Sequence, residues 1–539
     1  MLPAIDFGAL TSQPRSGMTL LNVRFIEAWR CLMQLTAAAP VGVVGSGTMG
    51  AGIAQIAALA GHQVLVLDAV AGRAQTAVDG IGTQLDRMVS KGRLESAQAE
   101  AARVNLTAAT DVTDLARCGL VVEAAVESLD VKRSIFAGLE TVVDDRCVLA
   151  TNTSSLSITA VAAELRRPER CLGLHFFNPA SVMRLVEVVS GLATDPQVAA
   201  DVAELASRWG KSAVRVTSTP GFIVNRVARP YYGEALRALE ERAADPATID
   251  AVLRESGGFR MGPLELTDVI GQDVNLAVSR SVWQLFGQDP RYTPSLSQQA
   301  LVDAGRLGRK TGEGFYSYAP GAAAPVAASA PPGTAVSEVV AAGDWGPWST
   351  LRDRLTGGGI TVVQSNATTP PHVELPGGAL LVPTDGRTAT ERADDAGRPV
   401  IVLDLALDPA TATRFALAAS DGCPPDQLAA AAGLLQATGA AVSVLDDLPG
   451  LLVARTAAML VNEAADVVGR GVASAADVDR AMRLGVGYPV GPLEWGDRIG
   501  AARIVALLDA LAGAYLDGRY RACITLRRAA WSGRSLREL

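Results

Sequence analysis

The sequence is poor in histidine and cysteine and has no pattern that would bind a metal ion. Three histidines and six cysteines are spread singly over 539 residues, and no two cysteines have metal-ligand spacing. Scattered single cysteines are typical of reduced thiols in a cytoplasmic protein. We therefore expect a cytoplasmic protein without a metal.

The sequence also lacks an excess of basic residues and a long apolar run. Its net charge of -8 excludes a general attraction to nucleic acid or to an anionic membrane surface. No uninterrupted apolar stretch is long enough to cross a bilayer. Arg24, Glu27 and Arg30 interrupt the N-terminal segment where a signal peptide would have its apolar region, which argues against export. We predict that residues 1–39 are an N-terminal extension and that the partners are small molecules.

The sequence does contain enough apolar residues, 49%, to build several domains. Strand-like runs such as "VGVVG", "QVLVLD" and "LVVEAAV" alternate with helical patterns over residues 40–219, which predicts a mostly parallel sheet with helices on both faces. Residues 220–318 read as a helical domain that opens at Pro220. Residues 319–345, rich in Ala and Pro, are predicted to be a linker.

An internal repeat organises the rest of the chain. Residues 220–271 align without a gap on residues 449–500 at a constant offset of 229, and 19 of the 52 pairs are identical. Such a repeat predicts a second copy of the helical domain, over residues 448–539. Residues 346–447 contain strand-like runs but no glycine motif, and are predicted to be a reduced Rossmann-like domain without a cofactor site.

A glycine-rich turn follows the first predicted strand. Gly45, Gly47 and Gly50 have the spacing G-x-G-x-x-G, and Asp68 follows the next strand, 18 residues after the last glycine. This context is typical of a dinucleotide site in which the acidic residue binds ribose hydroxyls, and it favours NAD over NADP. A turn that only packs helix on sheet is the alternative, and FAD is a second one, although no further flavin motif is present.

Five motifs follow the turn in order: "VVEAAVESLDVKR", "ATNTSSLSI", "GLHFFNPASVMRLVEVV", "STPGFIVNR" and "GRKTGEGFYSY". Together they resemble the L-3-hydroxyacyl-CoA dehydrogenase family over about residues 40–318, and the repeated second half is similar to its bacterial long form. The resemblance implies NAD-dependent oxidation of an L-3-hydroxyacyl-CoA, such as 3-hydroxybutyryl-CoA or 3-hydroxyadipyl-CoA, in β-oxidation or phenylacetate catabolism. It also implies helical domains that pair, within one chain or in a homo-oligomer.

The resemblance assigns four catalytic residues. His175 is the general base, Glu187 orients it, and Ser154 and Asn225 hold the substrate oxygen. A near-neutral imidazole braced by a carboxylate suits removal of a hydroxyl proton. Three simpler interpretations remain: His175 as a core histidine, Ser154 as a turn cap with Ser155 as its competitor, and Asn225 as a helix cap.

The resemblance also assigns ligand-contacting residues around this centre. Those expected near the cofactor are Glu127, Lys132, Asn152, Asn178 and Lys310. Lys132 is expected near the CoA pantetheine as well. Lys91 lies in a basic run, "LDRMVSKGRL", that is a candidate for the CoA phosphates, although such a run is usually a solvated helix end.

The second helical copy lacks these residues. Ala454 stands where the first copy has Asn225, and no histidine motif or glycine turn precedes it. We therefore predict that the second copy is catalytically silent. Two other functions stay open: a dehydrogenase of a sugar acid such as L-gulonate, and a non-catalytic NAD-binding or assembly protein. The intact set in the first half argues against the latter.

Overall fold

The computed structural model describes residues 39–365 and 370–539, which form two sheets, each followed by a helical domain. The N-terminal extension predicted for residues 1–39 lies almost wholly outside the described residues. The strands are β1 (Val41–Val44), β2 (Val64–Leu67), β3 (Leu106–Ala108), β4 (Leu120–Glu123), β5 (Val148–Thr151), β6 (Cys171–Phe176), β7 (Leu185–Ser190), β8 (Ser212–Thr217), β9 (Glu338–Ala342), β10 (Thr361–Gln364), β11 (His372–Glu374), β12 (Leu380–Pro383), β13 (Val400–Leu403), β14 (Arg414–Ala419) and β15 (Ala441–Val444).

Helices connect and cover these strands. They are α1 (Thr48–Leu59), α2 (Arg73–Ser90), α3 (Ser96–Val104), α4 (Leu129–Glu140), α5 (Ile158–Ala162), α6 (Pro196–Arg208), α7 (Val224–Val227), α8 (Arg229–Glu240), α9 (Pro246–Glu255), α10 (Pro263–Ile270), α11 (Gln272–Leu285), α12 (Leu296–Asp303), α13 (Ser349–Gly357), α14 (Ala389–Ala396), α15 (Pro425–Gln436), α16 (Val453–Gly469), α17 (Ala475–Gly485), α18 (Pro492–Ile499), α19 (Ala501–Tyr515) and α20 (Ile524–Ser532).

The first sheet has the strand order β3-β2-β1-β4-β5-β6-β7-β8 and is parallel except between β6 and β7. Its two faces carry separate cores. One contains Ile53 of α1 and Val202 of α6, and the other contains Phe136 of α4 and Val161 of α5. An order of 3-2-1-4-5-6 with helices on both faces is the doubly wound dinucleotide-binding arrangement. The predicted fold class is confirmed.

The second sheet has the order β10-β9-β11-β12-β13-β14-β15. Strands β12 to β15 repeat the parallel, antiparallel and parallel pairing of β5 to β8. Short strands β9 to β11 stand where the first sheet has its nucleotide-binding half. The linker predicted for residues 319–345 is wrong at its C-terminal end, because β9 lies inside it. The buried side chains of Val339 and Ala341 alternate with exposed neighbours, and surrounding Ala and Pro residues concealed this strand pattern.

The helical domain does not open at Pro220. Gly221 and Phe222 first form a turn with positive φ angles of 74° and 51°, and α7 begins at Val224. The second copy repeats this turn with Gly450 and Leu451, at 71° and 50°. The repeat therefore extends to backbone geometry that an ordinary side chain rarely adopts.

The two halves pair within the chain about a pseudo-twofold axis. The Thr217 amide donates to the Val472 carbonyl (2.8 Å), and the Asp446 amide donates to the Ala243 carbonyl (2.9 Å). The two bonds are related by the repeat, since Asp446 lies 229 residues after Thr217 and Val472 lies 229 residues after Ala243. Helix α17 accordingly packs on β7 and β8, and α9 packs on β14. Each helical domain thus rests on the sheet of the other half.

Buried ion pairs follow the same symmetry where α8 packs against α16. Arg226 Nε lies 3.4 Å from Glu463 Oε2, and Arg455 Nε lies 3.0 Å from Glu234 Oε2. All four side chains are at most 1% exposed. The pairing of helical domains expected from the resemblance occurs here inside one chain. No helix within residues 39–365 and 370–539 combines the length and apolarity needed to cross a membrane.

Candidate functional site

The glycine turn lies between β1 and α1, and each glycine has a different surrounding. Gly45 has a φ of 100°, and a Cβ there would lie 2.6 Å from the Ala124 carbonyl oxygen. A Cβ on Gly50 would collide with the Gly45 carbonyl oxygen, whereas one on Gly47 would meet no atom within 4 Å. The first and third glycines therefore serve the tight turn and the packing of α1. The second leaves open space at a helix N-terminus, where a pyrophosphate fits.

Asp68 follows β2 and faces this turn. Its carboxylate accepts hydrogen bonds from the Ser46 amide (2.8 Å), the Ser46 hydroxyl (2.6 Å) and the Val70 amide (3.0 Å). Partial burial acts to raise the pKa of Asp68, but the hydrogen bonds from Ser46 and Val70 outweigh it and hold the pKa below its ordinary value. A carboxylate at this place, beside the turn, fits the ribose of NAD.

Glu127 accepts several hydrogen bonds from the loop that follows β5. Its Oε1 accepts hydrogen bonds from Thr153 Oγ1 (2.6 Å), from the amides of Ser154 (3.1 Å) and Ser155 (3.2 Å), and from Ser155 Oγ (2.9 Å). Burial acts to raise the pKa of Glu127, but these bonds and the charge of Lys132 hold it below its ordinary value. Both serines belong to this network, so it does not favour Ser154 over Ser155.

Lys132 differs from the expectation that it contacts ligands. Its side chain is 1% exposed, and its ammonium lies 2.7 Å from Glu123 Oε1 and 3.5 Å from Glu127 Oε2. Glu123 also accepts from the Thr151 hydroxyl (2.7 Å) and the Ala125 amide (2.6 Å). Lys132 thus positions the protein's own carboxylates. Sequence reasoning missed Glu123, although a glutamate in the apolar run "LVVE" was a sign of a buried partner.

His175 and Glu187 face each other across the antiparallel strands β6 and β7. His175 Nδ1 lies 2.6 Å from Glu187 Oε2, and both side chains are buried. Phe177 and Phe222 pack against the imidazole, with ring centroids 4.6 and 5.7 Å away. Because Nδ1 is bonded to the carboxylate, Nε2 is the ring nitrogen left to meet a substrate.

The other oxygen of Glu187 holds the start of the helical domain. Glu187 Oε1 accepts hydrogen bonds from the amides of Ile223 and Val224, both at 3.1 Å. Asn225 is the next residue of α7, and its side chain is partly exposed. One carboxylate therefore fixes the imidazole and the helix turn that carries Asn225, which brings these two sequence-predicted residues to one place.

The remaining predicted ligand residues lie around the same edge with different partners. Asn152 follows β5, and its Oδ1 accepts from the Phe176 amide (2.8 Å), which ties the ends of β5 and β6 together. Asn178 is exposed beyond β6. Lys310 is exposed, and its ammonium is paired with Asp273 at 2.5 Å. Lys91 is exposed at the end of α2, and it stays a candidate for CoA only by its charge.

Strand register identifies the counterparts of the catalytic pair in the second half. Glu187 pairs with Val214 on β8, and Ala416 pairs with Ser443 on β15, at the offset of 229 from Val214. Ala416 thus corresponds to Glu187. The Asp404 amide donates to the Ala416 carbonyl (3.0 Å), so Asp404 takes the position of His175.

Asp404 performs the helix-capping part of the role of Glu187. Its carboxylate accepts from the amides of Leu452 (3.0 Å), Val453 (2.8 Å) and Ala454 (3.1 Å). No imidazole stands at this place. The second half keeps the hydrogen bonds that hold the helix turn, and it has an aspartate where the first half has its imidazole.

Comparison with protein families covers residues 40–318 and 381–538 of the chain, except residue 220. Residues 40–219 match the NAD binding domain of 3-hydroxyacyl-CoA dehydrogenase, and residues 221–318 and 450–538 each match its C-terminal domain. Residues 381–449 match the reduced Rossmann-fold domain of 3-hydroxybutyryl-CoA dehydrogenase.

Individual relatives agree with these matches. The 3-hydroxyadipyl-CoA dehydrogenase of Escherichia coli K12 is 48% identical over 491 residues, which cover 91% of this chain and 97% of that protein. A probable 3-hydroxybutyryl-CoA dehydrogenase of Deinococcus radiodurans is 41% identical over 51% of this chain and 99% of its own length.

A crystal structure of 3-hydroxybutyryl-CoA dehydrogenase from Escherichia coli K12 superposes with a TM-score of 0.83 at 46% identity, over 92% of this chain and 99% of that one. With an open glycine turn, a buried imidazole–carboxylate pair and these relatives, the chain belongs to the 3-hydroxyacyl-CoA dehydrogenase family and is an NAD-dependent oxidoreductase.

Proposed function

We propose that this protein oxidises the 3-hydroxyl of an L-3-hydroxyacyl-CoA to a 3-keto group, with His175 as the general base. Nε2 of His175 takes the hydroxyl proton, and Glu187 stabilises the imidazolium that forms and fixes its orientation. Gly47, at the open end of the glycine turn, and Asp68 would hold NAD, which would supply the hydride acceptor for the same carbon.

The observation that carries this proposal is the bond of 2.6 Å between His175 Nδ1 and Glu187 Oε2 in a buried setting. Phe177 and Phe222 cover the ring and exclude water from one side, which strengthens the interaction between imidazole and carboxylate. The pair lies at the carboxyl end of β6, on the same edge as the glycine turn after β1, where ligands bind in doubly wound sheets.

Ser154 and Asn225 complete the proposed centre. Ser154, tethered to Glu127, and Asn225, on the helix turn tethered to Glu187, hold the substrate oxygen in line for transfer. Glu127, Asn152, Asn178 and Lys310 are proposed to border the cofactor, and Lys91 to meet the CoA phosphates.

The proposed substrate is 3-hydroxyadipyl-CoA or 3-hydroxybutyryl-CoA, the thioesters after which the relatives are named. The test is to follow NADH formation with both thioesters and with L-gulonate, for the wild type and for His175→Gln. We expect the wild type to oxidise a thioester, and the variant to lose at least a thousandfold in kcat while still binding NADH. Oxidation of L-gulonate alone, or an active variant, contradicts the proposal.

A cytoplasmic location belongs to the same proposal. The five cysteines within the described residues are all free, as in a reducing compartment. Cys423 and Cys523 are half-buried, so they are less enclosed than the core thiols expected.

Because the second copy already covers the pairing surface, we propose that self-association of whole chains is not required to form the site.

A further inference from the structure

Arg229 is a buried cation without an anionic partner. It begins α8 and is 8% exposed, and none of the described residues places a carboxylate within ion-pair distance of it. Its Nη1 donates to Ser279 Oγ (3.2 Å), its guanidinium lies 4.9 Å from the centre of the Tyr232 ring, and its Nε has no hydrogen-bond partner. The structure leaves this charge uncompensated.

The other buried arginines within residues 39–365 and 370–539 are paired, which makes Arg229 unusual. Arg226 and Arg455 each meet a buried glutamate, and Arg170 meets Glu140 at 3.4 Å. An unpaired buried charge is costly, and burial lowers the pKa of Arg229. A cost of this kind is expected where a ligand supplies the missing anion.

Arg229 lies one helical turn after Asn225. Ala228 joins α7 to α8 with helical angles, so residues 225 and 229 lie on one face, about 6 Å apart along the axis. Arg229 is also the first residue of α8 to line a cavity of about 520 Å³ that continues along the helix. The carboxylates of Glu241 and Asp517 at this cavity already bind Arg455 and Arg237.

The internal repeat relates the position of Arg229 to a cavity that the counterparts of Ser154 and Asn225 also line. In the second half, the Gly386 amide donates to Thr384 Oγ1 as the Ser155 amide donates to Thr153 Oγ1, both at 3.3 Å, so Asp385 corresponds to Ser154.

Ala454 and Ala458 correspond to Asn225 and Arg229 at the offset of 229. Asp385, Ala454 and Ala458 all line one cavity of about 220 Å³. The three first-half positions are therefore expected to face a common cleft, in which the first half has Arg229 where the second half has Ala458.

We propose that Arg229 binds a carboxylate at the far end of the acyl chain and so selects a 3-hydroxyacyl-CoA whose acyl group is a dicarboxylate. This inference rests on the proposed function. In a six-carbon diacid, three carbon–carbon bonds separate the reacting carbon from the terminal carboxyl carbon, a span compatible with one helical turn. The guanidinium offers a planar set of donors to that carboxylate.

The test compares two substrates of equal carbon number, 3-hydroxyadipyl-CoA and 3-hydroxyhexanoyl-CoA, which differ by a carboxylate against a methyl group. The wild type should prefer the adipyl substrate. Arg229→Met should lower kcat/KM for it by about a hundredfold, mainly through KM, and leave the hexanoyl substrate unchanged or improved. Arg229→Lys should keep a reduced preference. Arg237→Met, which removes an arginine already paired with Asp517, is the matched control and should not change the ratio.

The outcomes separate the two proposals. A wild type that prefers the hexanoyl substrate, or an Arg229→Met variant that loses activity equally on both, overturns the role of Arg229 and leaves the oxidation of 3-hydroxyacyl-CoA in place. A wild type that oxidises neither of these thioesters nor 3-hydroxybutyryl-CoA overturns the proposed function itself. If thermal unfolding shows that Arg229→Met does not fold, Arg229→Lys carries the test, and an unchanged substrate ratio in it overturns the inference.

Discussion

At the scale of single residues, Glu187 connects the proposed chemistry to the fold. One carboxylate oxygen meets His175 Nδ1, and the other accepts from the amides of Ile223 and Val224. An imidazole whose Nδ1 carries the proton has a free lone pair on Nε2, which is the form that a general base requires. The Glu187 carboxylate therefore determines which ring nitrogen of His175 carries the proton, and it also fixes the position of the ring.

Glu187→Gln tests this selection. The amide oxygen can still accept from Ile223 and Val224, but the amide nitrogen then donates to Nδ1 and leaves the proton on Nε2. We expect kcat for oxidation of 3-hydroxybutyryl-CoA to fall by roughly 10³- to 10⁴-fold with little change in KM. Steady-state kinetics measure both constants, and an unchanged thermal midpoint confirms folding. A loss of less than tenfold contradicts this role.

The sequence predicted those functional residues that lie within a local sequence motif. The glycine turn, His175 and Glu187 stand in motifs, and the structure places them on adjoining strands and loops. Glu123 and Arg229 have no such motif. Their significance depends on burial and on partners from distant segments, which a single sequence does not reveal.

At the scale of elements, Asp404 caps the start of α16. Four backbone amides, including that of Leu405 (2.7 Å), donate to a carboxyl group that is 1% exposed. Burial raises the pKa of Asp404 to about 6, and the hydrogen bonds only partly offset that effect. The protonated form is therefore favoured in the folded state relative to the unfolded chain.

This shift makes stability depend on pH with a defined sign. A raised pKa contributes stability that is full below pH about 4 and is lost as pH rises through about 6. The free energy of unfolding of the wild type, measured against Asp404→Asn in urea, should thus fall by up to about 3 kcal/mol between pH 4 and pH 7. A difference between the two proteins that stays constant over this range rejects the assignment.

The predictions for β9 and for the start of the helical domain were wrong, because the local composition indicated one structure and the tertiary contacts formed another. Strand β9 lies in an Ala- and Pro-rich stretch, and it exists because β10 and β11 pair with it on both sides. Helix α7 begins only at Val224 because Phe222 has a positive φ, which is not helical. The Val224 amide, at the start of the helix, then donates a hydrogen bond to Glu187. Both outcomes depend on tertiary contacts.

At the scale of the whole molecule, the buried ion pairs hold the halves together. Glu463 meets Arg226, accepts from the Tyr292 hydroxyl (2.6 Å) and lies 2.8 Å from Arg291. This cluster is fully buried between helices of different copies. Removing its anion leaves two buried arginines that share only Asp466, which is more costly than removing an exposed pair.

Glu463→Gln should therefore lower the free energy of unfolding by about 3 kcal/mol or more, measured by urea denaturation. The matched control is Glu164→Gln, which breaks an exposed pair with Arg133 and should change stability by less than about 1 kcal/mol. Equal effects of the two substitutions would show that the buried cluster does not stabilise the pairing.

The reciprocal arrangement of the halves has a consequence for tolerance to mutation. Helix α17 belongs to the half in which Asp404 takes the position of His175, yet it packs on β7, the strand that carries Glu187. A Cβ at Gly485 would lie 2.7 Å from Leu185, two residues before Glu187, and 3.1 Å from Val224, whose amide donates to that carboxylate. A larger side chain at position 485, in the half predicted to be catalytically silent, is thus expected to lower turnover by displacing Glu187 and its amide donor.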